Sequence, residues 1–252
     1  MAAFTVYWQP GCSSCLRAKE FLTANGVDFV SVNVREDIAG AEALTKSGIM
    51  TVPIVTRGDD YVHGQDLDEL ARFIGVDPKR EKLPADELAG RIGIVLNAAS
   101  RYVRQIPDDV LTRPLPGRDR TALDLAYHVA MVVRAFLDAT EGGSINYEHF
   151  ERRTPSGAKA KTVGFVLQQT AAEFARWYAS AEKPATLRTY YGPQPFHNIL
   201  ERTCWHTAQH TRQLMTLVSL AGLAPDGPLA SADFAGLPMP QEIYDDQVKL
   251  AG

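Results

Sequence analysis

Five residues in this chain have the types and spacing to do chemistry: Cys12, Cys15, His128, His206 and His210. Cys12-Ser13-Ser14-Cys15 lies between an apolar strand-like run and a helix-like run. A cysteine at such a junction stands at the helix start, where unpaired N–H groups and the helix dipole favour an anion. The thiolate is the nucleophile, so the position is expected to lower the Cys12 pKa and make it the attacking thiol. Cys15, one turn further in, is placed to resolve a mixed disulfide. Two readings compete: a structural zinc half-site, although the chain has no second C-x-x-C, and a domain that has lost activity and only binds its partner.

The histidines carry a different chemistry. His206 and His210 are i, i+4, which puts both imidazoles on one helix face. Alone, that spacing equally fits a surface or core pair. His128 adds a third, on a separate helix between Leu125 and Val132, a face apolar enough to turn inward. Three neutral imidazoles converging inside a bundle can hold a divalent metal. Three protein ligands leave positions open for water or substrate, as in catalytic sites. The donor set suits zinc, nickel, copper and iron alike.

The elements that must position these residues fall into two groups. Strands are expected at Phe4–Trp8, Phe29–Val34, Val52–Val55 and Tyr61–Val62, with helices at Leu16–Ala24, Glu42–Lys46 and from Leu67 to Ile74. Asp66 can cap the last of these, with Glu69 completing a capping box. This is a βαβαββα order within residues 1–76. Asp77–Asp86, charged and with two prolines, reads as a linker. Beyond it strand signals nearly vanish. Helical stretches over 86–105, 121–140, 158–182 and 195–222 predict an antiparallel four-helix bundle within 87–252. Pro- and Gly-rich loops separate them at Pro107–Gly117, Glu141–Gly157 and Tyr191–Pro195, and the tail from Ala224 should run extended over the surface.

Bulk properties narrow the function classes. A net charge of −4 in 252 residues favours neither nucleic acid nor anionic membrane. No apolar run approaches the ~18 residues of a spanning helix, and the N-terminus lacks a signal-peptide pattern, so a cytoplasmic location is expected. Three cysteines are too few for a disulfide scaffold, and a close pair without export signals points to catalysis or metal.

Residues 1–76 resemble a glutaredoxin, an α/β thioredoxin-type fold. Val6-Tyr7-Trp8-Gln9-Pro10-Gly11-Cys12-Ser13-Ser14-Cys15 matches the first strand and active-site loop, Thr51-Val52-Pro53 the cis-proline segment, and Gly64-Gln65-Asp66 the Gly-x-Asp element before the last helix. The resemblance implies Cys12 and Cys15 as catalytic residues. It also implies that Val52, Pro53, Gly64, Gln65 and Asp66 bind glutathione or a similar thiol, with Pro53 cis. The family often has Pro and an aromatic between its cysteines, where two serines stand here. A Lys commonly precedes the loop, where this chain has Gln9.

The second half resembles the DinB/YfiT-like all-α four-helix bundles. The likeness rests on Leu125-Ala126-Tyr127-His128, Trp205-His206-Thr207-Ala208-Gln209-His210 and Gly236-Leu237-Pro238-Met239-Pro240. It implies a His128, His206, His210 metal site, zinc or nickel most often, thiol S-transfer or isomerisation, and a homodimer. The expected partners are a small-molecule thiol and an electrophile or disulfide, with no nucleic acid and no membrane. Two other readings stay open: a plain thiol-disulfide oxidoreductase whose bundle is a binding module, and a non-enzymatic redox or metal sensor. His63 is expected at the surface, His149 and His197 solvated or capping, and Cys204 a buried inert thiol. Arg202 and Arg212 could pair with substrate carboxylates but are expected to be ordinary exposed arginines.

Overall fold

The computed structural model describes residues 3–78, 80–115, 118–180 and 182–245. The chain divides into two compact units, Met1–Glu81 with Pro240–Gly252, and Lys82–Met239. From Pro240 the tail therefore groups with the first unit and not with the expected 87–252 domain: the Gln241 and Glu242 N–H groups donate to Glu20 at 2.7 and 3.0 Å, and Lys19 pairs with Asp245 at 2.6 Å.

The first unit is a four-stranded mixed sheet with three helices: β1 (Phe4–Trp8), α1 (Ser13–Ala24), β2 (Phe29–Asn33), α2 (Ile38–Lys46), β3 (Ile54–Arg57), β4 (Asp60–His63) and α3 (Leu67–Ile74). The sheet order is β2-β1-β3-β4, with β1 parallel to β2 and antiparallel to β3. The β-branched and aromatic run of β1 suits this central strand. Val6 pairs with Val55, and both are fully buried with Ala18, Leu22 and Leu70. A second apolar cluster gathers Trp8, Leu44, Ile49, Val52, Ile54 and Cys15. Helix α1 starts three residues before the expected Leu16, because Cys12 is its cap. Asp66 caps α3 by accepting the Asp68 and Glu69 N–H groups.

The second unit is built on four long helices, α4 (Ala85–Gln105), α6 (Ala122–Thr140), α8 (Ala160–Ser180) and α9 (Phe196–Leu220), with α5 (Asp108–Leu111), α7 (Glu148–Glu151) and α10 (Ser231–Phe234) as short connectors. Helices α4 and α6 each pack against both α8 and α9. Helix α6 begins with a reciprocal cap: Asp124 N–H donates to Thr121 Oγ1 at 3.1 Å, and Thr121 N–H donates to Asp124 Oδ2 at 3.2 Å. That cap sets the register of the helix that carries His128. Asp124 also accepts Thr154 N–H at 2.9 Å, which ties down the chain after α7.

Two expectations about connections are overturned. Tyr191–Pro195 is not simply a loop. β6 (Gly192–Pro195) pairs antiparallel with β5 (Thr186–Thr189), and Leu187 is buried beneath. Pro193 and Pro195 masked this strand, since proline is tolerated only at edges and in short ribbons. Within Glu141–Gly157, Ile145 bridges to Thr189 and α7 buries Phe150. Phe136 lies at the middle of an aromatic cluster, with ring centroids 5.8, 5.3 and 5.9 Å from Phe174, Trp177 and Phe196. Phe136→Ala should therefore cost the helical unit about 3–5 kcal/mol, read as a lower midpoint of its helical denaturation transition. An unchanged midpoint would show that this cluster does not hold the bundle.

Candidate functional site

Cys12 is the N-cap of α1, and its Sγ accepts the Cys15 N–H at 3.1 Å. Cys12 and Cys15 form a disulfide with Cα atoms 5.2 Å apart. Cys12 is half-buried and Cys15 fully buried, so the first sulfur is the one an incoming molecule can reach. The Val52–Pro53 peptide is cis, and Val52 shares the apolar cluster of Cys15. Gly64 N–H donates to the Pro53 carbonyl at 3.0 Å, Gln65 Nε2 to the Val52 carbonyl at 3.1 Å, and Arg17 to the Gln65 carbonyl at 2.6 Å. A Cβ on Gly64 would stand 3.0 Å from Pro53 Cγ and 3.1 Å from the Ala18 Cβ, so a side chain there would force Pro53 or Ala18 to give by a few tenths of an ångström. The structure thus joins Val52, Pro53, Gly64 and Gln65 beside α1, with Asp66 next in the chain as the cap of α3. Gln9, where a lysine was missed, accepts a hydrogen bond from Arg35 Nε at 3.2 Å, so a guanidinium reaches that place from the chain after β2.

In the second unit, α6 contributes His128 and α9 contributes His206 and His210. Their ring nitrogens lie within 4.8 Å of one another. The ring centroids are 5.4 Å (His128–His206), 5.0 Å (His128–His210) and 4.8 Å (His206–His210) apart. The three residues are 4%, 7% and 3% exposed, so the rings lie in the desolvated interior of the bundle. Burial, then the charges of Arg120, His210, His206 and Arg118, holds the His128 pKa well below the ordinary imidazole value. Burial, then Arg118, lowers His210 to about 3 against the opposing hydrogen bond from Gln213. Both rings are neutral near pH 7, the state that can ligate a metal.

Two details fit a cation. His210 Nδ1 bonds Gln213 Oε1 at 2.8 Å; an amide oxygen only accepts, so Nδ1 carries the proton and Nε2 keeps its lone pair. His128 Nδ1 is buried with no hydrogen-bond partner among the described residues, a costly state for a polar atom unless something binds there. His128, His206 and His210 could therefore hold a divalent ion.

The comparisons with known proteins divide the chain the same way. The glutaredoxin family model matches residues 4–62, and the DinB superfamily model matches 92–214.

The chain joins a glutaredoxin domain to a DinB-superfamily domain.

The Gene 56 protein of Mycobacterium phage L5 is 44% identical over 75 residues, 29% of this chain and 73% of that protein. A glutaredoxin-like 8.6 kDa protein in the rubredoxin operon of Clostridium pasteurianum is 29% identical over 70 residues, 27% of this chain and 93% of that protein. A crystal structure of a thioredoxin-like protein aligns at 28% identity over 31% of this chain and all of its own, with a TM-score of 0.29. No helix among the described residues is long and apolar enough to cross a membrane.

Other titratable residues divide. In the DinB domain His149 contacts the Asn146 carbonyl at 3.1 Å and Asp138 at 3.3 Å, and His197 Nε2 lies 2.9 Å from the Leu83 carbonyl. In the glutaredoxin domain His63 is half-buried, not at the surface, and burial lowers its pKa. Arg202 was expected exposed and is instead 5% exposed on α9. Gln213 and Phe150 were missed altogether. Gln213 follows His210 by three residues, a spacing that could have been read. Phe150 sits in a stretch with no periodicity to flag it.

Cys204 is fully buried, and burial pushes its thiol up to about 12. With Cys12–Cys15 oxidised, a disulfide reagent at pH 8 should titrate no thiol in the native chain and one after denaturation; a native thiol that reacts would contradict the burial. Gly64→Ala should destabilise the glutaredoxin domain by about 1–3 kcal/mol, measurable as earlier denaturant unfolding, and an unaffected midpoint would refute the close-approach argument.

Proposed function

We propose that this chain is an enzyme of low-molecular-weight thiol metabolism, pairing a glutaredoxin-type oxidoreductase site with a divalent-metal site for thiol S-transfer or isomerisation. The observation that carries the reading is the convergence of three buried histidines from two helices, on the same chain as a helix-capping dithiol. Exposed rings would not carry it, because only burial removes the water that would compete for a ligand.

In the oxidoreductase half, the reduced Cys12 thiolate attacks one sulfur of a mixed disulfide, forming a Cys12 mixed disulfide and releasing a thiol. Cys15 then attacks Cys12, a second thiol leaves, and the dithiol ends as the disulfide seen here. Two equivalents of glutathione or a similar thiol return both electrons. Cys12 is the entry sulfur because it is reachable and caps the N-terminus of α1, while buried Cys15 reacts only from within. Val52, Pro53 and Gly64-Gln65-Asp66 form the edge along which the peptide-like thiol would lie, and Arg35 beside Gln9 offers a cation for its carboxylate.

In the DinB half, His128, His206 and His210 hold the ion, zinc or nickel being the first candidates. When bound, the ion supplies Lewis acidity that lowers the pKa of a thiol or water. Gln213 fixes the His210 tautomer, and Trp205, stacked on His206 with centroids 5.3 Å apart, limits that ring's rotation.

The test is elemental analysis with thiol consumption against a panel of electrophiles and disulfides. About one divalent ion per chain is expected, and His206→Ala should remove it and the transfer activity while leaving disulfide reduction. Cys12→Ser should abolish disulfide reduction at full metal content. If no metal binds and the histidines prove dispensable for every activity, the metal half is wrong and a plain oxidoreductase remains.

A further inference from the structure

We infer that Arg202 makes the histidine site selective for small molecules bearing a carboxylate, its guanidinium taking that group beside His128, His206 and His210. The inference rests on the metal-site reading above and deepens it by naming the substrate's charge.

The placement comes first. Arg202 precedes His206 by four residues on α9, one turn along and about 40° round the helix, so it shares the histidine face. Its Cζ lies 5.0 Å from the Phe150 ring centroid, and that ring lies 6.0 Å from His206 and 5.9 Å from His128. Phe150 thus touches both the guanidinium and the triad. Tyr191 covers the guanidinium from another direction at 6.0 Å.

The energetics come second. A guanidinium stays charged at any working pH and has five N–H donors. Arg202 is 5% exposed, and its Nε is buried with no hydrogen-bond partner among the described residues. Aromatic faces attract the charge but do not use the donors. Glu201, adjacent in sequence, projects about 100° away round the helix, on the side where it acts on Cys204 with Arg91 and Glu87. A carboxylate would use the guanidinium donors that the aromatic faces leave unused.

The surroundings come third. The fixed charges that act on His128 and His210 are Arg118 and Arg120, both cationic. Arg120 is already engaged, donating to the Phe150 carbonyl at 2.6 Å. A divalent ion on three neutral imidazoles would add to this positive potential. A carboxylate fits the planar fork of Arg202 through two parallel hydrogen bonds. It would hold the reactive end of the same molecule toward the imidazoles. The carboxylate could belong to the thiol or to its electrophilic co-substrate.

Isothermal titration of the full chain, metal-loaded and metal-free, separates these cases with mercaptoacetate, propionate and 2-mercaptoethanol as probes. At least one acid should bind about tenfold or more tighter than 2-mercaptoethanol. Arg202→Gln should erase that preference with metal content and 2-mercaptoethanol affinity unchanged, and Arg202→Lys should restore part of it. Mercaptoacetate alone assigns the carboxylate to the thiol. Propionate binding with the same Arg202 dependence assigns it to the co-substrate. Acids that bind no tighter than 2-mercaptoethanol in either form overturn the proposal, as does a preference that survives in Arg202→Gln. Failure to load metal would sink the metal reading instead, while the metal-free titration still reports on Arg202.

Discussion

Keeping three imidazoles together and out of water is the constraint on which the second domain depends. Each ring has one nitrogen that must donate and one that must accept, and an unmet one is expensive in the interior. The bundle meets the requirement in part: Gln213 satisfies His210 Nδ1, while His128 Nδ1 finds no partner among the described residues. A core that needed only apolar packing would place valine or leucine at these positions. The Thr121–Asp124 cap, the register of α6 and the length of α9 are what bring His128 opposite His206 and His210.

The glutaredoxin domain obeys a different constraint, a close approach of backbone to backbone. Gly64 lies close against Pro53 and Ala18, and that contact ties the segment before α3 to the residue before β3 and to α1. The dithiol is then presented asymmetrically, one sulfur at a helix cap and half-buried, the other inside the apolar cluster. Order of attack follows from that asymmetry.

Much of this was legible in the residues. The four long helices lie within two residues of where periodicity put them. The strand–turn–helix around Cys12 was readable because β-branched alternation and the Asn25-Gly26 stop are local signals. The hairpin of β5 and β6 was not, because its two prolines carry the signature of a loop and its pairing is decided by Leu187 and Ile145 at a distance. Burial of Arg202 was equally hidden. An arginine on a long helix reads as solvated, and only the fold of the Glu141–Gly157 connection, which lays Phe150 over it, takes it out of water. The return of Gln241 and Glu242 to Glu20 left no sequence signal at all.

Two clusters of reactive side chains on one chain are therefore held by two kinds of device: a capped helix end for the sulfurs, and a desolvated helix face for the nitrogens. The central claim is that the imidazoles of His128, His206 and His210 are a ligand set. X-ray absorption at the edge of the metal that purifies with the full chain reads this directly. The account predicts a shell of three imidazole nitrogens at about 2.0–2.1 Å, reduced to two in His128→Ala. A shell of oxygen or sulfur without imidazole scattering, or one that His128→Ala leaves unchanged, would contradict it.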